Sequence, residues 1–282
     1  MAQTRRLPPE GLPSYGRFRG AKSPGDRKAV ALGTIVAIGG GSIRRLETEP
    51  IDREIIALTS SSRPRALFVP TASSDSATYC RHFHRAYRET YGCVTDELLL
   101  LGRTPDPVVV RDKIERADIV YVGGGNTLKM MRRWRRLGVD ELLRDAFDRG
   151  TVLCGVSAGA ICWFDRGHSD SMAYYDRDHW EYIAVTGLGL VDGMVCPHYN
   201  GRTYGVPRRR DFRAMMERKR GRGLGIDNHC AVVFTGTGYR VLRTKERVGA
   251  HALWVERGEL VERKLGVEAR YLPIDSMHRP RA

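Results

Sequence analysis

Residues 151–160 read TVLCGVSAGA. A short apolar run with strand character enters Gly155-Val156-Ser157-Ala158-Gly159, and only small residues flank the serine. A strand that turns sharply into a helix needs small neighbours, because the two backbones nearly touch at the bend. Such a turn presents the serine hydroxyl at the start of the helix, where peptide dipoles favour developing negative charge. The pentapeptide alone is a common pattern. The strand directly before it makes Ser157 a candidate nucleophile on a strand-to-helix elbow.

The same grammar repeats on either side. TIVAIGGGS (34–42), RALFVPTAS (65–73) and ADIVYVGGGNT (117–127) are apolar runs that stop at glycines or small polar residues. CVTDELLLL (93–101) offers a further strand, and later strands are expected at 189–196, 224–226 and 231–234. Residues 78–91, 112–116, 128–137 and 140–149 have helical character. In the tail, YRVLR (239–243) precedes HALWVERGELVERKLG (251–266), which suits a hairpin turning at Arg257-Gly258. Buried strands alternating with amphipathic helices predict an α/β fold: a doubly wound, mostly parallel sheet with helices on both faces and a C-terminal β-hairpin. Loops that follow such strands meet at one edge of the sheet, where ligands bind. Residues 1–29, rich in Pro, Gly, Arg and Lys, read as a flexible basic arm, and residues 30–282 as a single α/β domain.

Composition sets the outer bounds. The 282 residues are 41% hydrophobic and 28% charged, enough for a sizeable core and too apolar for whole-chain disorder. No apolar run approaches the roughly 18 residues of a membrane-spanning helix, and the first residues hold no signal-peptide core. The expectation is a soluble cytoplasmic protein without a membrane partner. The net charge of +14 would suit nucleic acid, an acidic substrate or simply an arginine-rich composition. The basic clusters at 129–136, 208–210 and 218–222 come without any RNP, zinc-finger or repeat signature, so nucleic acid is not the expected partner. The six cysteines form no CxxC pair and match no zinc spacing; they read as buried or free thiols, and neither metal nor cofactor is expected.

A serine nucleophile needs a base, an orienting group and oxyanion donors. His198, in Cys196-Pro197-His198-Tyr199-Asn200, follows a strand-like run and should lie on the same sheet edge as Ser157. His168 and His179 are lesser candidates in polar segments. Asp170 lies between serine and histidine in the chain, and Asp227 ends a later strand; either could orient the histidine, with Asp165 a third option. In Gly123-Gly124-Gly125-Asn126-Thr127, glycine lets a backbone N–H approach a substrate oxygen. The N–H groups of Gly125 and Ala158 would form a two-donor oxyanion hole, and Asn126 beside them is a candidate substrate contact.

Together YVGGGNT, GVSAGA and PHYN, with GGGS after the first strand, resemble the peptidase E (α-aspartyl dipeptidase) and cyanophycinase family of serine peptidases, over residues 33 to about 240. The resemblance implies a class I glutamine amidotransferase-like fold, Ser157 as nucleophile, His198 as base, and Gly125 with Ala158 at the oxyanion hole. It also implies an acid after the serine, and Asp170 and Asp227 stand at the two places available. The family's dipeptidases recognise an N-terminal aspartate through arginine beyond the histidine, the region here occupied by Arg208, Arg209 and Arg210. The stretch YYDRDHWEY (174–182) is a departure, longer than a minimal dipeptidase needs.

The expected protein is thus a cofactor-free serine peptidase, monomeric or homodimeric. It would cleave short peptides, dipeptides with N-terminal aspartate first, by a Ser-His-Asp triad through an acyl-enzyme. Cyanophycinase-like hydrolysis of β-aspartyl peptides is the neighbouring alternative. A glutaminase would need a cysteine at the elbow, where Ser157 stands. A non-catalytic, basic nucleic-acid-binding protein of the same fold is the alternative from another class, separable by its salt dependence.

Overall fold

The computed structural model describes residues 33–102 and 104–279; the basic arm expected over 1–29 lies outside them. Its strands are β1 (Thr34–Ile38), β2 (Arg65–Val69), β3 (Val94–Glu97), β4 (Ile119–Val122), β5 (Val152–Val156), β6 (Phe164–Ser169), β7 (Ile183–Thr186), β8 (Val191–Cys196), β9 (Arg202–Thr203), β10 (Val206–Pro207), β11 (Gly223–Ile226), β12 (Cys230–Thr235), β13 (Gly238–Arg243), β14 (Ala250–Glu256), β15 (Glu259–Lys264) and β16 (Leu272–Pro273). The helices are α1 (Glu49–Ala57), α2 (Ala77–His84), α3 (Pro107–Glu115), α4 (Thr127–Leu137), α5 (Val139–Asp148), α6 (Ala158–Ile161) and α7 (Arg208–Lys219).

Two sheets carry the fold. The larger runs β16-β13-β12-β1-β5-β4-β2-β3, and its β1-β5-β4-β2-β3 portion is parallel. The second runs β15-β14-β11-β8-β6-β7, with β6, β8 and β11 parallel and the flanking strands antiparallel. The mixed α/β class and the C-terminal hairpin, β14 to β15 through Arg257-Gly258, follow the sequence expectation. One detail differs. The strand leading to His198 is β8, in the second sheet, whereas Ser157 follows β5 in the first. Both runs end in buried apolar residues, and periodicity does not say which sheet such a strand joins.

The helices dock by their apolar stripes. Helix α5 buries Val139, Leu142, Leu143, Ala146 and Phe147, the i, i+3, i+4, i+7, i+8 face that a 3.6-residue period aligns. Helix α4 buries Met130, Met131 and Trp134 beneath its arginines. These residues share the largest core cluster with both sheets, including Val191, Val195 and Leu224 of the second. The opposite face of the larger sheet packs on α1 and α2 through Ile51, Ile55 and Phe83. Helix α2 continues to Thr90 with a widened last turn, in which Tyr91 N–H reaches the carbonyl of Ala86, five residues back.

Register places the loops. Ile38 pairs with Val156 and Val122 with Gly155, so β1, β4 and β5 end level and their glycine loops stand beside Ser157. Gly225 pairs with Cys196, so β8 and β11 also end together.

Candidate active site

Ser157 adopts φ 58° and ψ −111°, a strained conformation for a residue with a Cβ. Its amide is held by the Ile38 carbonyl at 3.1 Å. The small flanking residues are a steric requirement. A Cβ on Gly159 would lie 2.1 Å from the Val122 carbonyl oxygen, and one on Gly155 would lie 2.5 Å from that of Gly159. The elbow expected from 151–160 is therefore present, with the serine at its apex.

His198 also has a positive φ, 52°, and its N–H binds the Gly39 carbonyl at 2.8 Å. Two successive carbonyls of one turn, Ile38 and Gly39, thus hold the backbones of Ser157 and His198, and the two sheets meet at this bracket. The ring Nδ1 lies 2.6 Å from Asn228 Oδ1. The amide orientation follows from its other contacts. The Asn228 N–H meets Asn200 Oδ1 at 2.9 Å, so Asn200 presents oxygen there, and Asn228 Nδ2 donates to the same atom at 3.1 Å. Asn228 must then turn Oδ1 to the imidazole, and Nδ1 must be the protonated nitrogen. Nε2 is left as an acceptor. Burial and the Arg208 charge hold His198 below its ordinary pKa, against the Asn228 hydrogen bond and Asp170. The neutral, proton-accepting form is favoured near neutrality.

Neither expected acid meets His198. Asp227 is buried, accepts the Gly249 N–H at 2.9 Å and lies 3.6 Å from His251 Nε2. Asp170 accepts from Thr203 Oγ1 at 3.0 Å and pairs with the Arg208 guanidinium. Asp165 accepts the Gly193 N–H. Asn228 follows Asp227 directly in the chain and is not among the expected site residues, because a carboxylate is the commoner orienting group. The available signal was alternation: neighbouring residues of an extended segment face opposite sides, so at most one of the pair turns to the histidine. The lesser histidines are also placed elsewhere. His168 is fully buried between Asp211 and Cys196, and His179 is exposed beside Asp176.

Gly124 packs against the serine, where an added Cβ would lie 3.3 Å from that of Ser157. Among the described residues neither Gly125 N–H nor Ala158 N–H donates to a protein acceptor. Both amides are therefore available to a bound oxygen. Asn126 is not free as a substrate contact: its Oδ1 caps α4 at the Lys129 N–H, and its Nδ2 points to the Ser171 carbonyl. The three arginines part company. Arg208 is buried on Asp170, Arg209 pairs with Glu262 at 3.0 Å, and Arg210 is exposed. They form no common carboxylate fork. All six cysteines are buried free thiols; burial pushes Cys154 and Cys162, nearest the elbow, well above their ordinary pKa.

A strained serine at a strand-to-helix apex, a histidine with a fixed tautomer and two unspent amides make up the equipment of an α/β serine hydrolase. The sequence matches peptidase family S51 over residues 35–242, and the chain belongs to that family; it is a serine-type peptidase. It is 38% identical over 171 residues to the uncharacterized peptidase YgaJ of Bacillus subtilis, a match covering 59% of this chain and 69% of that one. A 30% identical match to the uncharacterized peptidase Lmo0363 of Listeria monocytogenes covers 47% of this chain and 64% of the relative, a little under two thirds of its length. Among solved structures, a peptidase from an acI-B1 Actinobacterium superposes with a TM-score of 0.66 at 18% identity, covering 88% of this chain and 99% of that one. A putative peptidase E protein from Listeria monocytogenes gives 0.57 at 22% identity, over 76% and 99%. At these identities the structural likeness speaks for the fold. Among the described residues no helix is long and apolar enough to cross a membrane.

Proposed function

We propose that the chain hydrolyses short peptides through a Ser157–His198–Asn228 unit. Ser157 Oγ attacks the scissile carbonyl while His198 Nε2 takes its proton. The Gly125 and Ala158 amides hold the oxyanion. His198 then protonates the leaving amine, and water, activated by the same nitrogen, releases the acyl group. Asn228 acts as a positioning residue, fixing the tautomer without adding charge, a role that asparagine fills in cysteine–histidine–asparagine peptidases. Neither Asp170 nor Asp227 takes part in proton transfer.

The carrying observation is the His198 Nδ1–Asn228 Oδ1 contact, which leaves Nε2 as the acceptor that an attacking serine requires. An N-terminal aspartate preference would need a cation free to meet its carboxylate. With Arg208 held by Asp170 and Arg209 by Glu262, the site supports short peptides generally more than it supports that preference. Dipeptide amides with Asp, Glu, Asn, Leu and Arg at the acyl position test the assignment on wild type and Ser157→Ala. Turnover of one or more of them, lost by at least about 10³-fold in the variant, is the expected result. Equal turnover by both proteins would remove Ser157 from the mechanism.

A further inference from the structure

Asp227 and Asn228 adjoin at the end of β11, yet only Asn228 turns to His198. The reason lies behind them, on the β14–β15 hairpin. Two hydrogen bonds clamp Asp227 to Gly249: its N–H donates to the Gly249 carbonyl at 3.0 Å, and its Oδ2 accepts the Gly249 N–H at 2.9 Å. The same Oδ2 lies 3.6 Å from Nε2 of His251, on β14. Nδ1 of that imidazole lies 3.4 Å from Oε1 of Glu262, on β15. Glu262 in turn pairs with Arg209 and Arg213 of α7. One imidazole is thus set between two carboxylates whose side chains are only 8% and 7% exposed.

A neutral imidazole has one N–H and serves one acceptor; the imidazolium has two. An acceptor at each ring nitrogen therefore calls for the charged form. Burial alone would lower the His251 pKa, but the two carboxylates outweigh it and raise the pKa above its ordinary value. Hydrogen bonds from His251 and Arg213 and the charge of Arg209 hold Glu262 at about 2, against desolvation, so it is an anion at any working pH. No other neighbour offers Asp227 a cation. Tyr199 presents its ring, 5.2 Å from that of His251. Lys264 stands opposite His251 in the hairpin register, but its Nζ donates to the Arg247 carbonyl at 3.1 Å. The arginines are spent on Glu262. A buried carboxylate that loses its counter-charge must find another donor. The His198 Nδ1–H, now held by Asn228, is one residue away along the chain. Adjacent residues leaving a strand face opposite sides, so a twist that brings Asp227 towards the site turns Asn228 away.

We propose that the His251 imidazolium is a positioning residue: held between Asp227 and Glu262, it keeps Asp227 on the hairpin side and so presents Asn228 to His198. This rests on the Ser157–His198–Asn228 reading and adds the group that orders its third member. The order is present while His251 carries its proton. It is lost as pH rises through the folded pKa of that ring, which gives turnover a basic limb above the ordinary histidine range.

The test measures kcat and KM from pH 5 to 10, with the dipeptide amides that wild type turns over, on wild type, His251→Gln, Asp227→Asn and the double variant. His251→Gln should lower kcat by up to about 10²-fold with KM little changed, and should lack the basic limb. Adding it to Asp227→Asn should cost little more, because no carboxylate is left to hold. Urea unfolding of each protein separates lost function from lost fold. A His251→Gln protein that keeps the wild-type kcat or the wild-type limb overturns the proposal, and so does full additivity with Asp227→Asn. A measurement on wild type alone covers a variant that does not fold. The His251 ring, followed by NMR, should titrate at the pH where kcat falls, and kcat that stays level through that titration overturns the positioning role. Turnover that survives Ser157→Ala would instead overturn the catalytic reading.

Discussion

His198 Nδ1 donates to Asn228 Oδ1 across 2.6 Å, and that contact leaves Nε2 as the imidazole's proton acceptor. The partner is neutral, so in the proposed mechanism it would orient the ring without stabilising the imidazolium formed on attack. Asn228→Ala frees the ring and should lower kcat by about 10²- to 10⁴-fold. Asn228→Asp keeps an acceptor and adds a charge. An anion at this distance raises the His198 pKa, so the acid limb of kcat/KM should move to higher pH while the plateau is kept or raised. Profiles between pH 4 and 9 on the three proteins check this. An unmoved acid limb in Asn228→Asp would remove the contact from the mechanism.

Ser157 sits at φ 58° and ψ −111° because the elbow demands it. A residue with a Cβ held in so sparse a region costs about 1–3 kcal/mol, recovered elsewhere in the fold. Glycine relieves that cost, at about 0.4–1 kcal/mol of extra unfolded-state entropy. Ser157→Gly and Ser157→Ala should both be inactive, yet the glycine variant should be more stable, by about 1 kcal/mol in urea unfolding. Equal midpoints for the two variants would mean that the elbow stores no strain.

Much of this site was legible from the residues, and the limits were geometric. Glycine and alanine around Ser157 announced the elbow because close backbone approach tolerates nothing larger. The Gly39-Gly40 turn belongs to the strand-ending loops expected at one sheet edge; it proves to be the bracket itself, since a Cβ on Gly40 would lie 2.1 Å from Asn228 Oδ1 and 2.4 Å from His198 Nδ1. The partner of His198 was missed by one position. Carboxylates are the commoner orienting group, and residue type does not reveal which of two adjacent side chains points inward. Arg208 was misjudged for a related reason. A guanidinium suits a substrate carboxylate and Asp170 equally well, and only the fold brings residues 170 and 208 together.

Asp52 offers a pH test of stability remote from the site. It is fully buried, accepting from Thr48 Oγ1 and Tyr87 Oη at 2.9 Å each, and burial pushes its pKa up to about 7 against those two bonds. The folded value lies above the unfolded one, so the folded chain holds the proton more tightly. Its contribution is fully present below the unfolded value near 3.8 and is lost as pH rises through about 7. Asp52→Asn cannot ionise, although it loses the acid's hydroxyl donor. Its Tm relative to wild type should therefore rise between pH 5 and pH 8.5, by the equivalent of a few kcal/mol. Parallel Tm curves would show that Asp52 keeps an ordinary pKa.

Asp170 and Arg208 should behave as a structural and electrostatic pair. Arg208 is 4% exposed, so Asp170→Asn leaves a desolvated guanidinium without its anion. Breaking one side of such a pair costs about 3–5 kcal/mol, whereas replacing both sides is much milder. Asp170→Asn should thus unfold at clearly lower urea, and adding Arg208→Met should recover most of the loss. The two charges also act oppositely on His198, Arg208 lowering its pKa and Asp170 raising it. Arg208→Met should move the acid limb of kcat/KM to higher pH, and Asp170→Asn should move it lower. If Asp170 were the group that orients His198, its neutral variant would lose activity as Asn228→Ala does and the double variant would not regain stability; urea unfolding and pH profiles on the same four proteins separate the two roles.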